Sequence, residues 1–219
     1  MVPLYEKHRP RSLEDVVGQP KAVAQVRAML ARSGGSAGGQ AYFIDGPSGS
    51  GKTTLARIIA DTVADPFFVR EYHSADELTV GELAECERTM RLSAWGKGGR
   101  AFIVNEAHGL SQKAQRVLLG MLEPVPPRCV WVFTTTWDGR DALFDGIDAL
   151  PLLSRCARIR LTNQGLAQAF AERALMIARA EGLDGQPVEA YVKLAQRCKN
   201  NFRAMLQEIE AGCMIGGGA

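Results

Sequence analysis

Residues 46–53, with the sequence GPSGSGKT, limit the possible folds of this chain more than any other segment. The segment matches the phosphate-binding pattern G-x-x-x-x-G-K-[ST] at every defined position. An apolar run at 41–45 precedes it, and apolar residues at helical spacing follow it between Leu55 and Val63. A strand, a glycine-rich loop and a helix in this order turn backbone N–H groups and the positive end of the helix dipole toward one anion. The sequence therefore predicts a nucleoside triphosphate site within an α/β fold.

The polar residues of this segment have distinct expected tasks. Lys52 is expected to reach the β- and γ-phosphates, and the Thr53 hydroxyl is expected to coordinate Mg²⁺. Small residues let successive backbone N–H groups turn toward the phosphates. The predicted nucleotide-binding residues of this segment are Gly46, Pro47, Ser48, Gly49, Ser50, Gly51, Lys52, Thr53 and Thr54.

A second apolar run, at 102–104, ends in polar residues that suit the same chemistry. Asn105 and Glu106 follow it at the carboxyl end of a predicted strand, where open α/β sheets bind ligands. Glu106 is the expected general base, because a carboxylate there can polarise the attacking water. Asn105 stands where an aspartate is usual. Its amide oxygen can accept a hydrogen bond from a Mg²⁺-bound water, so Thr53 and Asn105 form the predicted metal site, with one negative charge fewer than usual.

Apolar runs alternate with helical patterns along most of the chain. This alternation predicts a five-stranded parallel sheet flanked by helices, with strands at 41–44, 67–72, 101–105, 130–134 and 157–161. Glycine-rich segments at 33–39 and 95–100 are expected to be flexible loops. Three amphipathic patterns follow residue 161. We therefore expect a nucleotide-binding domain over 1–161 and a small helical domain over 162–219 with a frayed tail.

Composition excludes several classes of protein. A chain of 219 residues that is 46% hydrophobic can bury a full core, and its net charge of +2 gives no argument for nucleic acid. Its five cysteines never form a C-x-x-C pair, so we expect neither zinc nor a disulfide framework. No apolar run approaches the roughly 18 residues of a membrane span, and the first ten residues include the charged Glu6, Lys7 and Arg9 as well as His8. We expect a cytoplasmic protein without a membrane partner.

The phosphate loop and the polar end of the third strand resemble those of AAA+ ATPases, and above all clamp-loader subunits of the replication factor C and bacterial gamma/tau type. Further segments carry the resemblance from about Leu4 to Gly212. LYEKHRP at 4–10 and DVVGQ at 15–19 are similar to the family's adenine-pocket region. VFTTT at 132–136 is similar to its sensor 1 strand, and SRC at 154–156 matches its Ser-Arg-Cys motif. NNFR at 200–203 is similar to the start of its sensor 2 helix.

This resemblance implies roles for residues outside the loop. Arg9 and Val17 are implied to lie at the adenine pocket, and Arg203 to reach the nucleotide from a helical lid. Arg155 is implied to act in trans, completing the site of a neighbouring subunit. An arginine suits this task because its planar guanidinium stays charged and can grip phosphate oxygens with two hydrogen bonds.

The resemblance also implies a sensor threonine at the end of the fourth strand. Three adjacent threonines occur there, and we assign the role to Thr135 while the register stays open between Thr135 and Thr136.

The implied function is ATP hydrolysis with Mg²⁺ by one subunit of a ring of AAA+ subunits that acts with a sliding clamp and primer–template DNA in replication. Two alternatives stay open. One is a nucleotide-binding scaffold or switch subunit with weak hydrolysis, which Asn105 permits. The other is an AAA+ motor with a different DNA client, such as a helicase loader.

The chain departs from the clamp-loader pattern in two respects. Only Cys86 lies where gamma/tau subunits carry a zinc module, and the sequence stops at Ala219 with no collar domain, which leaves ring assembly open. A local indication of DNA binding is the set of basic residues near the second glycine-rich loop and on the helix after Glu106, namely Arg88, Arg91, Lys97, Arg100, Lys113 and Arg116.

Overall fold

Five parallel strands form the centre of the molecule, as the alternating apolar runs predict. The computed structural model describes residues 2–136 and 150–216. The strands lie in the order β2-β3-β4-β1-β5 and are β1 (Gln40–Gly46), β2 (Val69–Tyr72), β3 (Arg100–Val104), β4 (Cys129–Thr136) and β5 (Ala157–Arg160). Every neighbouring pair is parallel. The predicted α/β class with a five-stranded parallel sheet is confirmed.

Helices cover both faces of the sheet and follow its last strand. They are α1 (Leu4–Lys7), α2 (Pro20–Arg32), α3 (Lys52–Asp61), α4 (Val80–Met90), α5 (Gln112–Leu122), α6 (Leu150–Ser154), α7 (Ala167–Glu181), α8 (Val188–Arg197) and α9 (Phe202–Glu210). Within the described ranges, no helix combines the length and the apolar character needed to cross a bilayer.

The pleat of β4 divides the core into two layers. Trp131 and Phe133 pack into the cluster that includes apolar residues of α4 and α5, whereas Val130 and Val132 pack with those of α2 and α3. Successive side chains of a strand point to opposite faces, so a strand covered on both sides is apolar at every position. The continuous apolar run in the fourth predicted strand has this physical cause.

Every strand has at least one limit that differs from the expected one by one or two residues. Residues 67–68 belong to a 3₁₀ turn (Pro66–Phe68), and β2 begins only at Val69. Pro66 has no backbone N–H to give to a sheet, and the Phe67 side chain is exposed. In the centre of the sheet, β4 continues to Thr136 because its last residues remain paired with the end of β1.

The helices α7, α8 and α9 enclose a separate apolar cluster, in which Phe170, Tyr191 and Leu206 are buried. Leu4 of α1 belongs to the same cluster. The N-terminal segment therefore packs against the C-terminal helices, a contact that the predicted division at residue 161 did not foresee. That division itself stays a prediction.

Asp45 ties the end of β1 to β5 immediately before the phosphate loop. Its side chain is fully buried and accepts hydrogen bonds from Arg158 Nε at 3.1 Å and from Arg160 Nε at 3.0 Å. Its carbonyl accepts from the N–H of Leu161 at 2.8 Å. These bonds fix the point at which the chain leaves the sheet, and hence the position of the loop that follows.

Removing both guanidinium partners should leave the buried Asp45 carboxylate without a counter-charge. We expect the double variant Arg158→Met, Arg160→Met to lose about 3 kcal/mol of unfolding free energy, because the Asp45 carboxylate would be left uncompensated. Urea denaturation near pH 7 measures the loss. Adding Asp45→Asn removes the charge and should recover part of it. A triple variant no more stable than the double variant would show that the buried charge is not the cause.

Candidate functional site

The phosphate loop joins β1 to the first turn of α3. Gly49 and Gly51 adopt φ values of 71° and 101°, a region that favours glycine. Gly51 caps α3, so the unpaired N–H groups of the first helical turn, which starts at Lys52, lie at the loop. A Cβ at Gly49 would also collide with Asn201 Oδ1, at the start of α9. The loop thus has the form of an anion cradle, with the C-terminal helices directly above it.

Lys52 is held inside this loop. Its ammonium donates to the carbonyl oxygens of Gly46 and Pro47, both at 2.9 Å, and the residue is only 8% exposed. Burial lowers the pKa of Lys52 to about 8, the nearby Glu106 carboxylate acts in the opposite direction, and the Arg203 guanidinium lowers it further. An anion in the loop would therefore meet a cation that has already lost most of its water.

The Thr53 hydroxyl and the Asn105 amide lie side by side, as the motif predicts. Thr53 Oγ1 and Thr134 Oγ1 donate to Asn105 Oδ1 at 3.0 and 2.9 Å. Asn105 Nδ2 donates to Glu71 Oε1 at 3.0 Å and to the Tyr72 carbonyl at 3.1 Å. The amide oxygen therefore faces α3. The hydroxyl and amide oxygens are ligands that suit a hard cation such as Mg²⁺ or its bound waters.

Glu106 follows Asn105 in a strained backbone conformation with φ 51° and ψ 50°. Its Oε1 accepts a hydrogen bond from Thr136 Oγ1 at 3.0 Å. Its Oε2 is shielded from solvent and accepts no hydrogen bond from any residue in the described part of the chain. Unusual backbone angles at a polar residue cluster at functional sites. A carboxylate with one oxygen held and the other free of hydrogen bonds within the described residues is suited to accept a proton.

The structure distinguishes the two candidate sensor threonines. Thr136 contacts Glu106 and lines the cleft described below. Thr135, our sequence-based choice, is fully buried and contacts His108 Nδ1 at 3.1 Å through its hydroxyl. Geometry thus favours Thr136 for direct contact with a nucleotide. We assigned no chemistry to His108 from the sequence, yet its Nδ1 also lies 3.5 Å from Glu106 Oε2.

A cleft opens between the phosphate loop and the C-terminal helices. It is lined by residues 48–54 together with Arg9, Val17 and Arg203, which the sequence assigned to nucleotide binding. Its apolar part is formed by Tyr5, Val17, Phe170, Phe202 and Leu206. Apolar walls with a few polar groups at one end are typical of small-molecule sites. Phosphates would lie at the loop and a base between the aromatic walls.

Contacts within the cleft hold two of the assigned arginines. Arg9 Nη1 donates to Thr54 Oγ1 at 3.2 Å, and the Arg203 guanidinium lies 5.4 Å from the centre of the Tyr5 ring. A third arginine, Arg173 of α7, also lines the cleft and was missed from the sequence. Its spacing of three residues from Phe170 places both on one face of α7, which is the signal that could have found it.

Arg155 lies at the end of α6. Its Nη1 donates to the Pro151 carbonyl at 3.1 Å, and its Nη2 pairs with Glu123, while 30% of the side chain is exposed. A role in trans stays a prediction.

The basic residues expected to contact DNA are partly offset by acidic partners. Arg88 and Arg91 pair with glutamates of their own helix at 2.8 and 3.1 Å. Lys113 and Arg116 are exposed on α5. The region is thus less basic than the sequence alone indicates.

Known proteins resemble this chain at modest identity. The replication factor C large subunit of Thermococcus kodakarensis is 24% identical over 212 residues, which cover 95% of this chain and 40% of that protein. Replication factor C small subunit 1 of Pyrobaculum arsenaticum is 27% identical over 185 residues, covering 82% and 53%. DNA polymerase III subunit tau of Bacillus subtilis is 27% identical over 188 residues, covering 74% and 32%. The chain therefore spans between 32% and 53% of the length of these relatives.

The expected resemblance to clamp-loader subunits is confirmed by these relatives. Among solved structures, the Holliday junction branch migration motor RuvB of Thermotoga maritima matches 92% of this chain, and 64% of its own length, with a TM-score of 0.71 and 22% identity. This likeness shows the shared fold. The family match runs over residues 42–163, from β1 past the end of β5. Because this match spans more than half of the chain, the chain belongs to the ATPase family associated with various cellular activities (AAA).

Proposed function

We propose that the chain binds ATP with Mg²⁺ in the cleft and hydrolyses it to ADP and phosphate, as one subunit of a clamp-loader-like assembly in DNA replication. The observation that carries the proposal is the meeting of four groups at the carboxyl edge of the sheet. Lys52 supplies positive charge, Thr53 and Asn105 supply oxygen ligands, and Glu106 supplies a base.

Binding follows from the geometry of the loop. Its N–H groups and the Lys52 ammonium would neutralise the phosphates, and the Thr53 hydroxyl, next to Asn105, would hold the cation. When bound, Mg²⁺ withdraws negative charge from the phosphate oxygens. Arg9, Val17 and Arg203 hold the adenosine part from the walls of the cleft.

Hydrolysis needs a group that takes a proton from the attacking water. Glu106 is suited to this step because Thr136 fixes one carboxylate oxygen while the other has no hydrogen-bond partner in the described residues. The water oxygen attacks the γ-phosphorus, its proton passes to the free carboxylate oxygen, and ADP leaves.

Action within an assembly is supported by the relatives and by Arg155. Replication factor C and polymerase III tau subunits are the proteins that this chain resembles. Arg155 extends from α6, outside the chain's own cleft lining, where it can complete the site of a neighbouring AAA+ subunit. A sliding clamp and primer–template DNA are the proposed partners, residues 162–219 the proposed lid, and the cytoplasm the proposed location.

Asn105 supports a second candidate, a nucleotide-binding switch subunit with weak hydrolysis. The residue is uncharged where the usual aspartate would help to hold Mg²⁺. The rate of turnover of the wild-type protein separates the two candidates, since the first predicts steady release of phosphate and the second only slow release.

Glu106→Gln should keep ATP binding and lose hydrolysis. We expect ATP affinity within a few-fold of wild type and phosphate release at least on the order of a hundredfold slower, because glutamine keeps the shape but not the basicity of the carboxylate. Nucleotide binding and phosphate release are measured on the same preparation. Glu87→Gln, on the exposed face of α4, is the matched control. If Glu106→Gln hydrolysed ATP at the wild-type rate, Glu106 would not be the general base.

Mixing two inactive variants tests the role of Arg155 in trans. Arg155→Ala should bind ATP with nearly wild-type affinity but hydrolyse it about 10³-fold more slowly. A Glu106→Gln subunit retains Arg155, and an Arg155→Ala subunit retains Glu106. Co-assembled mixtures should therefore recover part of the activity that neither variant has alone. If mixtures shown to co-assemble are no more active than the separate variants, Arg155 does not act in trans.

A further inference from the structure

Glu71 of β2 lies outside every motif of the sequence, yet it is joined to the candidate metal site. Its side chain is only 16% exposed. Its Oε1 accepts from Asn105 Nδ2 at 3.0 Å, and its Oε2 accepts from Arg57 Nε at 2.7 Å. Parallel pairing of β2 with β3 brings the two side chains together, since Tyr72 lies opposite Val104, the residue before Asn105. A mostly buried carboxylate with both oxygens engaged is fixed in orientation.

This carboxylate decides which way the Asn105 amide points. If the amide rotated by half a turn, its oxygen would face Glu71 Oε1 and the Tyr72 carbonyl, two acceptors that cannot donate. In the observed orientation, its nitrogen donates to both of these groups, and its oxygen receives the hydroxyls of Thr53 and Thr134. All of its hydrogen-bonding capacity is used, so the orientation is determined by the chemistry of its neighbours.

The same carboxylate also explains why an amide suits position 105. An aspartate there would place a second carboxylate about 3 Å from Glu71, and like charges at that distance repel strongly in a site shielded from water. Glu71 and Asn105 together carry one negative charge, held on the neighbouring strand. Arg57 faces that charge from α3 and also lies 3.5 Å from Glu6, which holds Arg9.

We propose that Glu71 is a positioning residue for the metal site. It holds the Asn105 amide so that the oxygen faces Thr53, and it supplies near the site the negative charge that Asn105 lacks. This inference rests on the proposed function of the cleft as a site for ATP with Mg²⁺. Glu71 acts through Asn105 and does not itself touch the nucleotide.

Thermal unfolding of the ligand-free protein tests the pairing without any nucleotide. Glu71→Gln should lower Tm by about 2–4 °C in the wild-type background, the shift that one lost hydrogen bond gives in a chain of this size, because its NH₂ group would face a donor of either Arg57 or Asn105. In the Asn105→Asp background, the same substitution should raise Tm, since its NH₂ group can donate to the new carboxylate. The Tyr72 carbonyl still faces that carboxylate, so the double variant should remain below wild type.

Glu82→Gln is the matched control. Glu82 also pairs with an arginine and accepts from a tyrosine hydroxyl, at 3.1 and 2.7 Å, but within the described residues it forms no hydrogen bond with Asn105. Its substitution should shift Tm equally in both backgrounds. If Glu71→Gln likewise shifts Tm equally and in the same direction in both backgrounds, the pairing is overturned.

Titration with Mg²⁺ at fixed ATP tests the consequence for the site. Glu71→Gln should weaken the apparent Mg²⁺ affinity of the ATP complex about tenfold, the scale for losing a group that orients a metal ligand. ATP affinity in EDTA should stay unchanged. Unaltered Mg²⁺ affinity would overturn the positioning role. A wild-type protein that binds no ATP would instead remove the proposed function, while the unfolding experiment would still judge the pairing.

Discussion

The burial of β1 between β4 and β5 is the constraint on which the rest of the site depends. A strand with neighbours on both sides cannot shift its register without breaking the hydrogen bonds to both of them. The ion pairs of Asp45 fix the end of β1 before the loop. The strand therefore ends at a defined position, Gly46, and the unpaired N–H groups at the start of α3 lie close to it. The positions of Lys52 and Thr53 follow from covalent connection to this anchored strand.

The charged groups in and around the phosphate loop are already positioned in the ligand-free protein. Lys52 is buried against loop carbonyls with a lowered pKa, so much of the cost of removing water from its charge is already met in folding. On the opposite side, negative charge is shared between Glu106 and the Glu71–Asn105 pair. The polar groups that would face a triphosphate are thus held by the fold without it, which is the condition for strong electrostatic stabilisation in a water-poor site.

The sequence predicts the parts of this site that are local in the chain. The phosphate loop and the Asn105–Glu106 pair are short segments, and the types and spacing of their residues indicate their chemistry. The apolar runs of the sequence predict the strands of the sheet. Glu71 and His108 could not be found in this way, because their contacts depend on strand register. The spacing of Arg173 from Phe170 shows that the two share a face of α7, but not that this face lines the cleft. The choice between adjacent threonines likewise depends on which side of the end of β4 each residue faces, a property of the twisted sheet.

Calorimetric titration with ATP and Mg²⁺ tests the central claim, that the cleft binds the triphosphate against Lys52, most directly. Because burial lowers the pKa of Lys52 to about 8, this side chain is mostly neutral above that pH and must take up a proton when phosphate binds. The account predicts one ATP per chain, with proton uptake on binding near pH 9 and little near pH 7, read from two buffers of different ionisation enthalpy. Binding without proton uptake near pH 9, or no binding at all, would contradict it.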